Sequence, residues 1–149
     1  MADSERIIIG SDHGGYELKE FIKSELDKRG IPWEDIGTNS TDSVDYPHYG
    51  VRVAMAVASG EYTRGILICG TGIGISITAN RFKGVRAALC CSVEMARLSR
   101  EHNNANILAL GGRLTSPEDA AAILDTWLTT TFEGGRHERR VRLMDDLIC

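Results

Sequence analysis

The stretch ILICGTGIGISITANR, Ile66 to Arg81, joins an apolar run to a thiol and the thiol to a glycine loop. Gly70, Gly72 and Gly74 remove side chains from alternate positions, so backbone amides can turn toward an anion with a helix start behind them. A Walker loop would end in Gly-Lys-Ser/Thr, whereas Gly74 is followed by Ile75 and Ser76. A dinucleotide fingerprint would carry its third glycine one residue later and sit on the first strand. A C-x5-R phosphatase loop would need arginine where Ile75 stands. What remains is a set of amides suited to a developing oxyanion, although the same glycines also describe a tight strand-to-helix turn. Cys69 precedes them. A free cysteine is often a small buried hydrophobe, but at a strand end facing a helix start its thiolate is favoured, which makes a usable base near neutral pH. Cys90, Cys91 and Cys149 have no such setting and read as structural or incidental.

The elements that must position this loop alternate. Strands are expected at Arg6 to Ser11, Trp33 to Ile36, Gly65 to Cys69, Val85 to Leu89 and Ile107 to Leu110, from short apolar runs bounded by breakers. Between them lie helical patterns. Tyr16 to Arg29 places Leu18, Phe21, Ile22 and Leu26 on one face and stops at Gly30. A second runs from Pro47, with Tyr49, Val53 and Val57 inward, to Gly60. A third opens in the glycine loop and reaches about Arg81. Ser92 caps a fourth over Val93 to His102, and Ser116-Pro117-Glu118 opens a fifth that ends near Thr130. A basic helix spans His137 to Leu147. Alternation predicts a single α/β domain, residues 1–149: a Rossmann-like, doubly wound, five-stranded parallel sheet with helices on both faces and strand order 2-1-3-4-5. Ligands of such sheets bind at the carboxyl ends of the strands near the switch in order. Ser11-Asp12-His13 and Cys69-Gly70-Thr71 are both expected there, side by side.

Composition narrows the classes. With 149 residues, 42% hydrophobic and 26% charged, the chain suits one globular core. Its formal net charge of −4 argues against general nucleic-acid or membrane affinity. No apolar run has the length of a membrane span, and MADSERIIIG lacks the pattern of a secretory signal. The four cysteines show neither C-x-x-C nor zinc spacing, which fits free thiols in a reducing cytoplasm.

Five blocks in order resemble the family of B-type ribose-5-phosphate isomerases and galactose-6-phosphate isomerase subunits. They are GSDHGGYELK, DYPHY at Asp45 to Tyr49, CGTGIGISITANR at Cys69 to Arg81, SREHNNANILALGGR at Ser99 to Arg113, and FEGGRHERRV at Phe132 to Val141. The resemblance covers almost the whole chain. It implies an aldose–ketose isomerase without metal or organic cofactor, acting through a cis-enediolate within the pentose phosphate pathway, and homodimers, sometimes tetramers, whose subunits share sites. Cys69 matches the family's base; members that carry serine there use glutamate at the position of Ile75, so this chain is similar to the cysteine subtype. The resemblance further implies that the amides of Gly70, Thr71, Gly72, Ile73 and Gly74 hold the enediolate, with the Thr71 hydroxyl on a sugar oxygen. His102 matches the ring-opening acid, Asn103 a sugar-hydroxyl ligand, and Asp12 and His13 a substrate-contacting pair. Asp45 either orients a hydroxyl or caps the helix at Pro47; Asp12 carries the same ambiguity. Arg113, Arg136 and Arg140 match the phosphate-binding arginines, the last two one helical turn apart. Without the resemblance, Arg136 and Arg140 would read as a solvated charge run beside Glu133, Glu138 and Arg139, and His102 as a helix-end histidine.

Ribose 5-phosphate and ribulose 5-phosphate are the leading substrates, and allose or galactose 6-phosphate the rivals. A non-catalytic phosphate-binding module would keep the arginines and glycines without needing Cys69 or His102. A thiol redox protein would need a resolving cysteine that the sequence does not place nearby.

Overall fold

The computed structural model describes residues 6–147; Cys149 lies outside them. Five parallel strands form one sheet: β1 (Ile7–Ser11), β2 (Trp33–Asp35), β3 (Arg64–Cys69), β4 (Ala87–Leu89) and β5 (Ile107–Gly111). Six helices connect and flank them: α1 (Tyr16–Lys28), α2 (Tyr46–Ala58), α3 (Ile73–Ala79), α4 (Val93–Glu101), α5 (Pro117–Thr129) and α6 (Arg136–Asp146). Ser92 and Ser116 cap α4 and α5 through their side chains, accepting from the amides of Met95 and Asp119.

The strand order is β2-β1-β3-β5-β4, which corrects the expected 2-1-3-4-5. The last two strands exchange places. All five residues of β5 are buried, whereas β4 has three residues, all partly exposed. The longer, fully apolar strand takes the inner position and the short one the edge. Right-handed crossovers then decide the layers. The chain moves one way through α2 and α3 and the other way through α1 and α4, so these pairs cover opposite faces. Alternate strand residues follow suit. Ile7, Ile9, Ile66, Ile68, Leu108 and Leu110 pack under α1, α4 and α5, with Trp127 among them. Ile8, Leu67, Cys69 and Ile107 face α2 and α3. Cys69 therefore leaves the sheet on the α2–α3 side.

Lys19 of α1 was not expected inside, yet its side chain is fully buried and pairs with Asp35 at the end of β2. Asp35 also accepts from Lys23 and from the amide of Gly37. Burial pushes the Asp35 carboxyl upward, but these donors together hold it below the usual carboxylate range. The pair fixes the turn after β2, whose Gly37 carbonyl and Thr38 amide clamp the backbone of Ser11 at 2.8 and 2.7 Å. The end of β1, just before Asp12, is thereby held in place.

Candidate active site

Three strand exits converge at the carboxyl edge. The Asp12 amide donates to the Ile68 carbonyl at 3.2 Å, Gly112 to Cys69 at 2.8 Å, and Arg113 to Gly70 at 2.9 Å. Arg113 is folded back over the loops. A Cβ on Gly70 would lie 2.8 Å from its Nη1, and one on Gly14 3.3 Å from its Cζ. Small residues are thus needed where the guanidinium crosses two backbones. Gly72 has a φ of 80° and starts α3, a conformation that disfavours a side chain. Its amide donates to Cys69 Sγ at 3.2 Å. The thiol is buried, with 4% exposure, at the floor of this cluster. The Thr71 hydroxyl accepts from the Ile73 amide at 3.1 Å. Gly74 lies against the Tyr46 ring, where an added Cβ would stand 2.6 Å away. Helix α3 ends at Ala79, short of the expected Arg81.

Asp12 and His13 join the same edge. Asp12 is buried and does cap: its Oδ1 accepts from the Gly15 amide at 3.1 Å, closing the short turn from His13 to Gly15. His13 Nδ1 accepts from the Val44 amide at 3.1 Å. That bond places the proton of the neutral ring on Nε2, as a donor. The contact carries the loop before α2 onto the first strand's exit. Asp45 occupies the cap position of α2 but makes no side-chain capping bond, so the capping half of its expected alternatives does not hold. A cleft of about 270 Å³ opens among His13, Gly14, Glu17, Thr41, Gly112 and Arg113.

His102, Asn103, Arg136 and Arg140 lie elsewhere. Helix α4 starts just past the exit of β4 and runs back along the sheet, so its end falls at the amino edge. The bonding shows this. His102 follows α4, and five residues later the chain enters β5 at Ile107, with the Asn106 carbonyl accepting from Gly65 at the start of β3. From this edge to Cys69 is the length of the sheet, roughly 15 Å at ~3.3 Å per residue. His102 of one chain cannot deliver a proton to a substrate lying on Cys69 of that chain. The expected residues therefore form two groups: Asp12, His13, Cys69 to Gly74 and Arg113 at the carboxyl edge, and His102, Asn103, Arg136 and Arg140 at the amino edge.

The amino-edge group is built around α6, which begins at Arg136, one residue earlier than expected, and so carries both arginines on one face. The Glu133 amide donates to the Glu101 carbonyl at 3.1 Å, joining the segment before α6 to the end of α4. His102 and His137 stack, with ring centroids 4.2 Å apart. Burial, with His102 and Arg136 nearby, holds His137 below the ordinary imidazole range, against the opposing pull of Glu133. Neither Glu133 nor His137 stood out in the sequence as a site residue; their spacing of four, with Glu133 in the loop just before the helix and His137 in its first turn beside Arg136, was the available signal. Cys90 is a buried thiol that desolvation pushes up to about 11, consistent with a structural role.

The chain matches the Ribose/Galactose Isomerase family model over residues 7–144. It is 52% identical over 136 residues to ribose-5-phosphate isomerase B of Escherichia coli, covering 91% of each chain. Its structure is similar to that of ribose-5-phosphate isomerase B from Clostridium thermocellum, with a TM-score of 0.93, 56% identity, and 95% and 96% of the two chains covered. It is similar also to the Mycoplasma genitalium enzyme with bound ribulose-5-phosphate, at a TM-score of 0.91 and 41% identity over 95% and 94% of the chains. A glycine loop carrying its thiol, an arginine folded over that loop, and likeness across nearly the whole chain agree: this chain belongs to the ribose/galactose isomerase family.

Proposed function

We propose that this protein interconverts ribose 5-phosphate and ribulose 5-phosphate, using no metal or organic cofactor, and that it does so as a homodimer with shared sites. The observation that carries the chemistry is Cys69, buried beneath Arg113 at the mouth of the glycine loop, with the Gly72 amide on its sulfur. The relatives' activity and the bound ribulose-5-phosphate of the Mycoplasma genitalium enzyme supply the substrate.

The steps follow from proton bookkeeping. His102 protonates the furanose oxygen as the C1–O4 bond breaks, and the anomeric hydroxyl gives up its proton to water, leaving the C1 aldehyde. The Cys69 thiolate then takes the proton from C2, and that electron pair forms the C1–C2 double bond while charge moves onto O1. The amides of Gly70 to Gly74 and the Thr71 hydroxyl meet the oxyanion of the cis-enediolate. The O2 proton passes to O1, and the Cys69 thiol returns its proton to C1, giving the ketose. Arg113, which lines the same cleft as His13, holds the phosphate with Arg136 and Arg140.

Placement at opposite sheet edges supports sharing. Exposed apolar side chains flank both groups: Ile73 and Ile77 on α3, and Leu143, Met144 and Leu147 on or after α6. A two-fold contact that sets the amino edge of one copy against the carboxyl edge of the other covers both patches and completes two sites at once. Among the described residues no helix is long and apolar enough to cross a membrane. The described cysteines are all unpaired, which suits a reducing compartment such as the cytoplasm.

Cys69→Ala tests the chemistry. Turnover of ribose 5-phosphate in chelator-treated buffer should fall by roughly 10²- to 10⁴-fold, with KM little changed. Near-normal kcat would remove Cys69 from the reaction. Allose and galactose 6-phosphates in the same assay should be poor substrates.

A further inference from the structure

Ring opening requires one imidazole, yet the amino-edge group contains a second and a carboxylate that faces both. Glu133 Oε1 lies 3.5 Å from His137 Nε2 and 4.0 Å from His102 Nε2. One donor atom from each of the three residues lies within 4.8 Å of the others. Their backbones are anchored: Glu133 to the Glu101 carbonyl, His102 to Leu98 at 2.9 Å, and His137 to Gly134 at 3.1 Å. The donors therefore sit on fixed supports, while the half-exposed Glu133 side chain remains able to adjust.

Donors on one tetrahedral ion stand about 3.3 Å apart when the metal–ligand bonds are ~2.0–2.1 Å. The two carboxylate–imidazole separations here exceed that by about 0.2 and 0.7 Å, and the stacked imidazoles, whose planes lie 11° apart, must turn about their Cβ–Cγ bonds to bring both lone pairs onto one ion; side-chain rotation supplies both adjustments. His102 is 37% exposed, so a fourth position opens to water. Two nitrogens and one oxygen suit Zn²⁺, Co²⁺ or Ni²⁺; Mg²⁺ and Ca²⁺ require oxygen cages.

We propose that His102, Glu133 and His137 bind a divalent transition-metal ion, with Zn²⁺ as the type, and that this ion reversibly inhibits the enzyme. An ion on His102 Nε2 occupies the atom that carries the proton for the furanose oxygen, so cyclic substrate cannot open. Arg136 and Arg140, close by on α6, weaken the hold on any cation. The ion is accordingly an inhibitor in exchange with solvent rather than a resident cofactor. Inhibition rests on the ring-opening reading of His102; binding does not.

The test uses the full-length protein and the metal alone. Co²⁺ is titrated into chelator-treated enzyme and followed by visible absorption, and Zn²⁺ binding is measured by calorimetry. One ion per chain is expected, with ligand-field bands of nitrogen and oxygen donors and no thiolate charge-transfer band. Glu133→Gln and His137→Asn should each weaken binding at least roughly tenfold. Glu133→Gln should raise by a similar factor the Zn²⁺ concentration that halves turnover of ribose 5-phosphate. Unchanged binding in both variants, or a thiolate band showing that the ion sits on Cys69, would overturn the site. Binding at the site with undiminished turnover would overturn the inhibition, and would locate the failure in the role given to His102.

Discussion

Gly70→Ala separates what the glycine loop does for folding from what it does for substrate. The new methyl would land 2.8 Å from Arg113 Nη1, 3.5 Å from Cζ and 3.6 Å from Cδ. No backbone atom is among these contacts, and Gly70 has no positive φ. The guanidinium, the free end of a flexible side chain, has to move by a little under an ångström. Stability should change by no more than about 1 kcal/mol, as for substitutions that a neighbour can accommodate. Displacing one charge-assisted phosphate contact forfeits about 1.5–3 kcal/mol. At about 1.4 kcal/mol per decade that is a loss in kcat/KM of roughly ten- to a hundredfold, expressed mainly in KM. Steady-state kinetics with ribose 5-phosphate and a thermal melt measure both quantities. Because the loss travels through Arg113, Gly70→Ala should cost almost nothing further in an Arg113→Ala background. Additive losses in the double variant, or an unchanged kcat/KM in the single one, would refute the reasoning.

Two other perturbations probe the scaffold. Gly72→Ala puts a Cβ 2.5 Å from Leu89 and 2.9 Å from the Leu110 backbone at a φ of 80°, so strain and overpacking together should cost about 2–5 kcal/mol, read as a lower denaturant midpoint. Asp35→Asn removes the close partner of the fully buried Lys19, leaving only the half-exposed Glu20 carboxylate at 3.8 Å, and should cost about 3–5 kcal/mol near neutral pH. Since the folded Asp35 carboxyl is held below its usual range, its contribution is complete above the unfolded carboxylate value and fades as pH falls through the folded one. The gap between wild type and Asp35→Asn in urea melts should therefore narrow below about pH 4, and a gap that widens in acid would contradict the pairing.

The strands and helices were legible because their apolar periods, caps and glycine stops are local signals, and Ser92 and Ser116 cap where their hydroxyls predict. Strand order was not, since neighbours in a parallel sheet are chosen by burial of whole strands rather than by any local pattern. The contrast between Ile107–Gly111 and the three-residue Ala87–Leu89 decides it only once both are seen together. At the site, the strand-exit rule brought Asp12, Cys69 and Gly70 together correctly. The same rule implies that a helix leaving one edge ends at the other, so the separation of His102 from Cys69 was available from topology. Other features were out of reach. The Val44 amide on His13 comes from an irregular loop, and the burial of Lys19 depends on Asp35, sixteen residues away on another element.

Mixing two inactive variants tests the central claim, that each active site draws on two chains. Cys69→Ala retains the amino-edge group and His102→Asn the carboxyl-edge group. In a mixed dimer one site pairs intact Cys69 with intact His102 from the other chain, while the second site carries both lesions. Equal amounts, unfolded together and refolded, give half mixed dimers with one good site of two, so activity on ribose 5-phosphate should return to about one quarter of wild type. If Cys69 and His102 acted within a single chain, no pairing of these variants could restore a site. Activity that stays at the sum of the two parents, in a preparation that sedimentation shows to contain mixed dimers, would contradict the account.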